Sequence, residues 1–160
     1  MKEEKISFSY QVYDDAKELP LEIQDLRQKA ITTRDNAYAP YSNFLVGAAI
    51  LLENKVVVTG SNQENAAFPS GSCAERTAIY YAGSQYPNQK IKSIFISVKS
   101  NQKSIENPTP PCGACRQAIA EYEVRQKQPI KIYFAGEKGK IMAVNSLSDL
   151  LPLAFDGSFL

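Results

Sequence analysis

Apolar and polar residues alternate from Lys5 to Tyr13, with Ile6, Phe8, Tyr10 and Val12 on one side and Ser7, Ser9 and Gln11 on the other. That period of two predicts a half-buried strand. After Asp14 and Asp15, apolar positions recur at Leu19, Leu21, Ile23, Leu26, Ala30 and Ile31. With Pro20 suited to a first helical turn, they predict a helix to about Asn36. The turn-rich segment 37–43 leads into a nearly all-apolar strand, Phe44–Leu52, and Glu53-Asn54 turns the chain back into a hairpin strand at Lys55–Thr59. Gly60–Ser72 has the composition of a loop. A helix is predicted over Cys73–Ala82, a strand over Ile91–Val98, and irregular chain through the three prolines of 107–111. A second helix over Cys112–Val124 follows, then strands at Ile130–Phe134 and Ile141–Val144 and a short helix at Leu147–Leu151. No repeat, low-complexity tract or long linker divides the chain.

Strands alternating with helices predict a three-layer α/β sandwich. Only about six residues, Ala135 to Lys140, join the last two strands, too few for a crossover helix, so these should pair antiparallel.

Composition narrows the function. The chain has 160 residues, one domain's length, with 44 % hydrophobic and 22 % charged residues. A formal charge of +1 gives no basic field for a nucleic-acid backbone. The N-terminal residues lack the apolar core of a signal peptide, and no membrane span appears, which points to a cytoplasmic protein. Three cysteines in a reducing compartment are not a disulfide framework. Histidine is absent, which excludes Ser-His and Cys-His nucleophiles and any imidazole metal ligand.

The chemistry concentrates in Cys73-Ala74-Glu75-Arg76 and in residues 111–117, where Pro111 precedes Cys112 and Cys115. Cys112 and Cys115, three apart in a helical first turn, point the same way. Cys73 opens a separate helix. If the strands before the two helices run parallel, right-handed crossovers bring both helix N-termini to one sheet edge, and three thiolates converge. Three ligands and an open fourth position characterise catalytic zinc, whereas structural sites use four. A lone CxxC would also suit a structural half-site or a redox pair, and Cys73 alone a buried small hydrophobe. The combination, with Glu75 two residues from Cys73 and no further Cys or His, favours the catalytic site. Three thiolates on a dication leave a formal charge of −1. Two helix N-termini return roughly +0.5 each, and Arg76 adds a cation beside the sulfurs, so water can still be activated. Glu75 then serves best as a proton carrier rather than a ligand.

At these residues the chain resembles the cytidine deaminase family, in its small all-cysteine, homotetrameric type. The resemblance runs from about Tyr38 to Phe155. It includes residues 41–49 (TyrSerAsnPheLeuValGlyAlaAla), 62–66 (AsnGlnGluAsnAla), both cysteine motifs and 150–155 (LeuLeuProLeuAlaPhe). It implies a mixed five-stranded sheet, a core over 38–160 preceded by an extension and first helix over 1–37, and one structural domain overall. Zinc-dependent deamination proceeds by attack of water at C4 of cytosine, with a non-ligand glutamate as acid and base. By resemblance the metal ligands are Cys73, Cys112 and Cys115, with Glu75 catalytic and Arg76 tuning charge. Asn62 and Glu64 would hold the ribose 3′-hydroxyl, Phe44 would pack near the base, and Glu75 with the Ala74 backbone would bind the pyrimidine edge. Phe68, the backbone near Ala66, and Phe155 would reach the nucleoside in an adjacent subunit. The implied function is conversion of cytidine and deoxycytidine to uridine and deoxyuridine in pyrimidine salvage. The alternatives are a deaminase of an aminopyrimidine antibiotic of the blasticidin S type, against which the ribose motif at 62–66 argues, and a non-catalytic zinc or thiol module. The extension at residues 5–13 has no counterpart in the family pattern. It is expected to add a strand at a sheet edge or on a neighbouring subunit.

Overall fold

A computed structural model describes residues 1–160. Its strands are β1 (Gln11–Tyr13), β2 (Phe44–Leu52), β3 (Val57–Ser61), β4 (Ile91–Ser100), β5 (Lys131–Ala135) and β6 (Ile141–Val144), and its helices are α1 (Leu21–Arg34), α2 (Ala74–Gln85) and α3 (Gly113–Gln126). They form one mixed sheet in the order β1-β6-β5-β4-β2-β3. Helix α1 covers one face, where Leu19, Ile23, Leu26 and Ala30 bury against Ala49, Leu51, Phe95 and Tyr133. Helices α2 and α3 cover the other, where Ala78, Ile79 and Ile119 bury against Ile50, Ile94, Ile96 and Ile132. This is the expected three-layer sandwich. No helix is long and apolar enough to cross a membrane.

Strand β2 lies inside the sheet with both faces covered, which is why its sequence is apolar without alternation. It pairs antiparallel with both β3 and β4. β3 and β4 therefore run parallel to each other, although they do not touch. Each leads into a helix on the same face, so the N-termini of α2 and α3 meet at one sheet edge. Two glycines bring the helix layers down onto the sheet. A Cβ at Gly60 on β3 would stand 2.6 Å from the Ala78 nitrogen and 2.7 Å from the Ala74 oxygen, so only glycine lets the start of α2 sit so close. Gly47 on β2 likewise admits the backbone of α1 at Ala30 and Arg34.

β5 and β6 pair antiparallel, as their short connection requires. The strand count is corrected from five to six. Gln11, Val12 and Tyr13 pair antiparallel with Ala143, Met142 and Ile141 and extend the sheet at the β6 edge. The expected strand over residues 5–13 is reduced to these three residues, because β6 spans only Ile141–Val144 and ends one residue beyond the last pair, at Val144. Ile6, Phe8 and Tyr10 consequently stand exposed.

Candidate active site

Both cysteine motifs sit where backbone N–H groups are unpaired. Cys73 is the N-cap of α2 and Cys112 the N-cap of α3, each extended in backbone and neither capping its helix with its side chain. Cys115 lies in the first turn of α3 and is buried, while Cys73 is half-buried and Cys112 exposed. The three sulfurs lie within 4.8 Å of one another, and Cys73 Sγ stands 3.8 Å from Cys112 Sγ. Two sulfurs bound tetrahedrally to zinc at about 2.3 Å stand about 3.8 Å apart, so this pair fits that ion.

Two of the sulfurs are coupled in their protonation. A hydrogen bond from Cys115 draws the Cys73 thiol down to about 5, against desolvation and with help from Arg76. The same shared proton, together with burial, pushes Cys115 upward. Cys73 and Cys115 thus share one proton, and a cation bound between them would let both serve as thiolate ligands. Arg76 Nη2 lies 3.8 Å from Cys73 Sγ, and its Nε is buried without a partner. The guanidinium thus directs positive charge at the cluster.

Glu75 stands in the first turn of α2, only 5 % exposed. Burial pushes its carboxyl above the ordinary carboxylate range, with the neighbouring Cys73 charge adding to the rise. Cys73, Cys112 and Glu75 open into one cleft of about 400 Å³, shared with Phe44, Asn62 and Glu64. That volume suits a small ligand.

The side chains opposite the sulfurs are fixed by long-range hydrogen bonds. Asn62 Nδ2 donates to the Phe44 carbonyl at 2.9 Å, and its Oδ1 accepts from the Val46 amide at 2.7 Å. Its orientation is therefore set by β2, while one N–H and one lone pair stay free. Glu64 Oε2 accepts from the Tyr41 and Ser42 amides at 2.8 and 3.2 Å. The Ser42 side chain, with these two amides, holds the Glu64 carboxyl below its usual range. The loop 41–42 is thereby pinned beside the cleft.

The other expected site residues lie outside this cleft. Ala74 is fully buried in the core, so only its backbone is placed beside the site. Arg76 borders an adjoining pocket that it shares with Phe68, Glu64 and Cys73. Phe68 is 74 % exposed and packs edge-on against Tyr41, and Ala66 is exposed too. Phe155 is 59 % exposed and stacks on Phe159. Sequence reasoning missed Val46, Ile96 and Val98, which form the cleft's apolar wall, and Thr109 and Pro110, which border it just before Cys112. Ile96 and Val98 share parity on β4, but so does the core residue Ile94, so spacing alone does not single out the two that reach the cleft. The proline run carried no signal either.

Comparison with known proteins places this geometry in context. A profile of the cytidine and deoxycytidylate deaminase zinc-binding region matches residues 21–128. The cytidine deaminase of Halalkalibacterium halodurans is 41 % identical over 132 residues, covering 82 % of this chain and 92 % of that protein. That of Sporosarcina psychrophila is 36 % identical over 135 residues, covering 84 % and 92 %. The crystal structure of a cytidine deaminase from Burkholderia pseudomallei superposes with a TM-score of 0.70 at 35 % identity, covering 82 % of this chain and 97 % of that one. Sequence and fold agree with the cysteine cluster and its buried glutamate, and the chain belongs to the cytidine deaminase family, hydrolases that act on carbon–nitrogen bonds.

Proposed function

We propose that the protein hydrolyses free cytidine and deoxycytidine to uridine and deoxyuridine with release of ammonia, in pyrimidine salvage in the cytoplasm. One observation carries this reading: a buried carboxyl, Glu75, opens into the same nucleoside-sized cleft as two cysteines of a zinc-shaped cluster. Cys73, Cys112 and Cys115 would hold zinc. When bound, zinc supplies the electrophilic assistance that makes water a nucleophile at neutral pH.

The remaining work falls to the chain's own groups. Glu75 takes a proton from the attacking water as oxygen adds to C4 and delivers it to ring N3; it then takes the proton of the new C4 hydroxyl as the carbonyl forms and passes it to the amine, which departs as ammonia. Its raised pKa matches that task, because a carboxyl that both accepts and donates is most effective near the working pH. The Ala74 backbone fixes the pyrimidine edge, and Phe44 packs against the base. Asn62 and Glu64, whose orientations β2 and loop 41–42 already set, grip the ribose hydroxyl with no ordering required on binding. The exposure of Ala66, Phe68 and Phe155 supports their role at a neighbour's site in a homotetramer, where pooled loops keep water from the nucleoside.

Arg76 tunes charge. Its cation lowers the Glu75 pKa and stabilises the Cys73 thiolate. Arg76→Gln should therefore move the acidic limb of the pH–rate profile to higher pH, since Glu75 then stays protonated further up the scale. An unmoved limb would show that the helix N-termini alone supply the compensation.

A substrate panel tests the assignment. The zinc-loaded chain should deaminate cytidine and deoxycytidine, and leave blasticidin S and single-stranded DNA unchanged. Preferred turnover of blasticidin S would make it an antibiotic deaminase. Turnover of none of the four would leave only a zinc or thiol module.

A further inference from the structure

The N-terminal half of α3 carries two side chains that the mechanism does not use, Arg116 and Gln117, and both hold the C-terminal strap. Arg116 Nε donates to the Pro111 carbonyl at 2.9 Å, while its Nη1 donates to the Leu150 carbonyl at 2.8 Å. Gln117 Nε2 donates to the Phe155 carbonyl at 2.9 Å. Pro111 is buried and directly precedes Cys112, and Thr109 and Pro110 beside it border the cleft. One guanidinium thus spans the cleft wall and the root of the strap. Its neighbour fixes the strap five residues further on.

Between these two anchors the backbone is strained. Leu153 has φ of 57°, the left-handed region that a branched apolar residue adopts only where its surroundings impose it. Its side chain is 92 % exposed, so burial does not supply that constraint. The anchors at Leu150 and Phe155 flank it on both sides, and Phe155 stands 59 % exposed, its ring stacked on Phe159 at 5.6 Å.

We propose that Arg116 and Gln117 are positioning residues that lock the strap over residues 150–155 to the metal-site helix and so present Phe155 in a fixed direction. The inference rests on the reading that Phe155 contacts the nucleoside of a neighbouring subunit. It adds a physical link between the helix that carries Cys112 and Cys115 and the segment offered to that neighbour. Arg116 acts at both ends of the link, through the Pro111 carbonyl and the Leu150 carbonyl. Gln117 acts on the strap alone.

The test uses the full-length, zinc-loaded protein. Gln117→Met keeps the side chain's length and removes its donor, Gln117→Lys restores a donor, and Phe155→Ala removes the presented ring. Amide exchange across residues 150–160 should quicken in Gln117→Met and return towards normal in Gln117→Lys. KM for cytidine should rise about five- to tenfold in Gln117→Met, the worth of one hydrogen bond, with kcat within about twofold. It should recover in the Lys variant. Zinc content should stay unchanged throughout. Unaltered strap exchange in Gln117→Met would overturn the anchoring. A rise in KM for Phe155→Ala without one for Gln117→Met would overturn the positioning role alone. No rise for Phe155→Ala would instead remove the shared-site reading on which the proposal stands.

Discussion

Glu75→Gln should keep its zinc and its fold and lose more than about 10² in kcat, because general acid–base catalysis by a positioned group is typically worth that much. The substitution is nearly isosteric, and the buried position of Glu75 at the first turn of α2 is filled equally well by an amide. What disappears is the ability to carry protons, first from water to the ring and then from the C4 hydroxyl to the amine. Binding should suffer less than turnover, since a neutral amide still hydrogen-bonds the pyrimidine edge. Metal analysis beside steady-state kinetics checks this, and a zinc-loaded Gln variant turning over at near-normal rate would contradict the assignment. Because burial also raises the Glu75 pKa, kcat/KM in the parent protein should fall away on the acid side above the usual carboxylate range.

The second large effect concerns the ligands. Alanine at Cys73, Cys112 or Cys115 should each abolish zinc retention, a greater loss than the about 10–100-fold that removal of an outer hydrogen-bond partner causes. The three variants should differ in stability. Cys112 is exposed at a helix N-cap, so Cys112→Ala loses the metal at little further cost. Cys115 is fully buried, so Cys115→Ala removes core packing as well and should also lower Tm of the metal-free protein. Full zinc retention in any one of the three would remove that residue from the site. Equal Tm for metal-free Cys112→Ala and Cys115→Ala would refute the stability difference.

The cysteine cluster was legible in the sequence because half of its geometry is local. Cys112 and Cys115 share a helical first turn by spacing alone, and Cys73 needed only the assumption of parallel strands before the two helices. β3 and β4 satisfy that assumption, but with β2 running antiparallel between them, a detail no spacing in the sequence reveals. β2 and β6 were legible end to end, the first because a strand buried on both faces is continuously apolar. The hairpin partner lay two residues further along than expected, at Val57–Ser61, because Lys55 takes a left-handed turn position. Residues 5–10 misled for a physical reason: alternation records a strand's preference, while pairing depends on the length of its neighbour, and β6 is short.

What the sequence concealed is long-range. Nothing around Asn62 predicts that its amide is clamped between the Phe44 carbonyl and the Val46 amide, or that Glu64 gathers the amides of Tyr41 and Ser42. Arg34 is a further case. It is buried at the end of α1 and donates to Ser97 Oγ and the Val98 carbonyl, both at 3.0 Å. It thereby ties the helix on one face to the strand whose Ile96 and Val98 wall the cleft on the other. An arginine in a helix's last turn reads in the sequence as a solvated cation facing the dipole, and only the packed fold turns it into an interior brace.

The most direct test of the account is a zinc titration of the metal-free protein, followed by cytidine deamination. Turnover should rise in proportion to zinc and reach its plateau at one ion per chain, with ammonia and uridine formed in equal amounts. Full turnover by the metal-free protein, or a plateau that zinc does not set, would contradict a deamination centre built on Cys73, Cys112, Cys115 and Glu75.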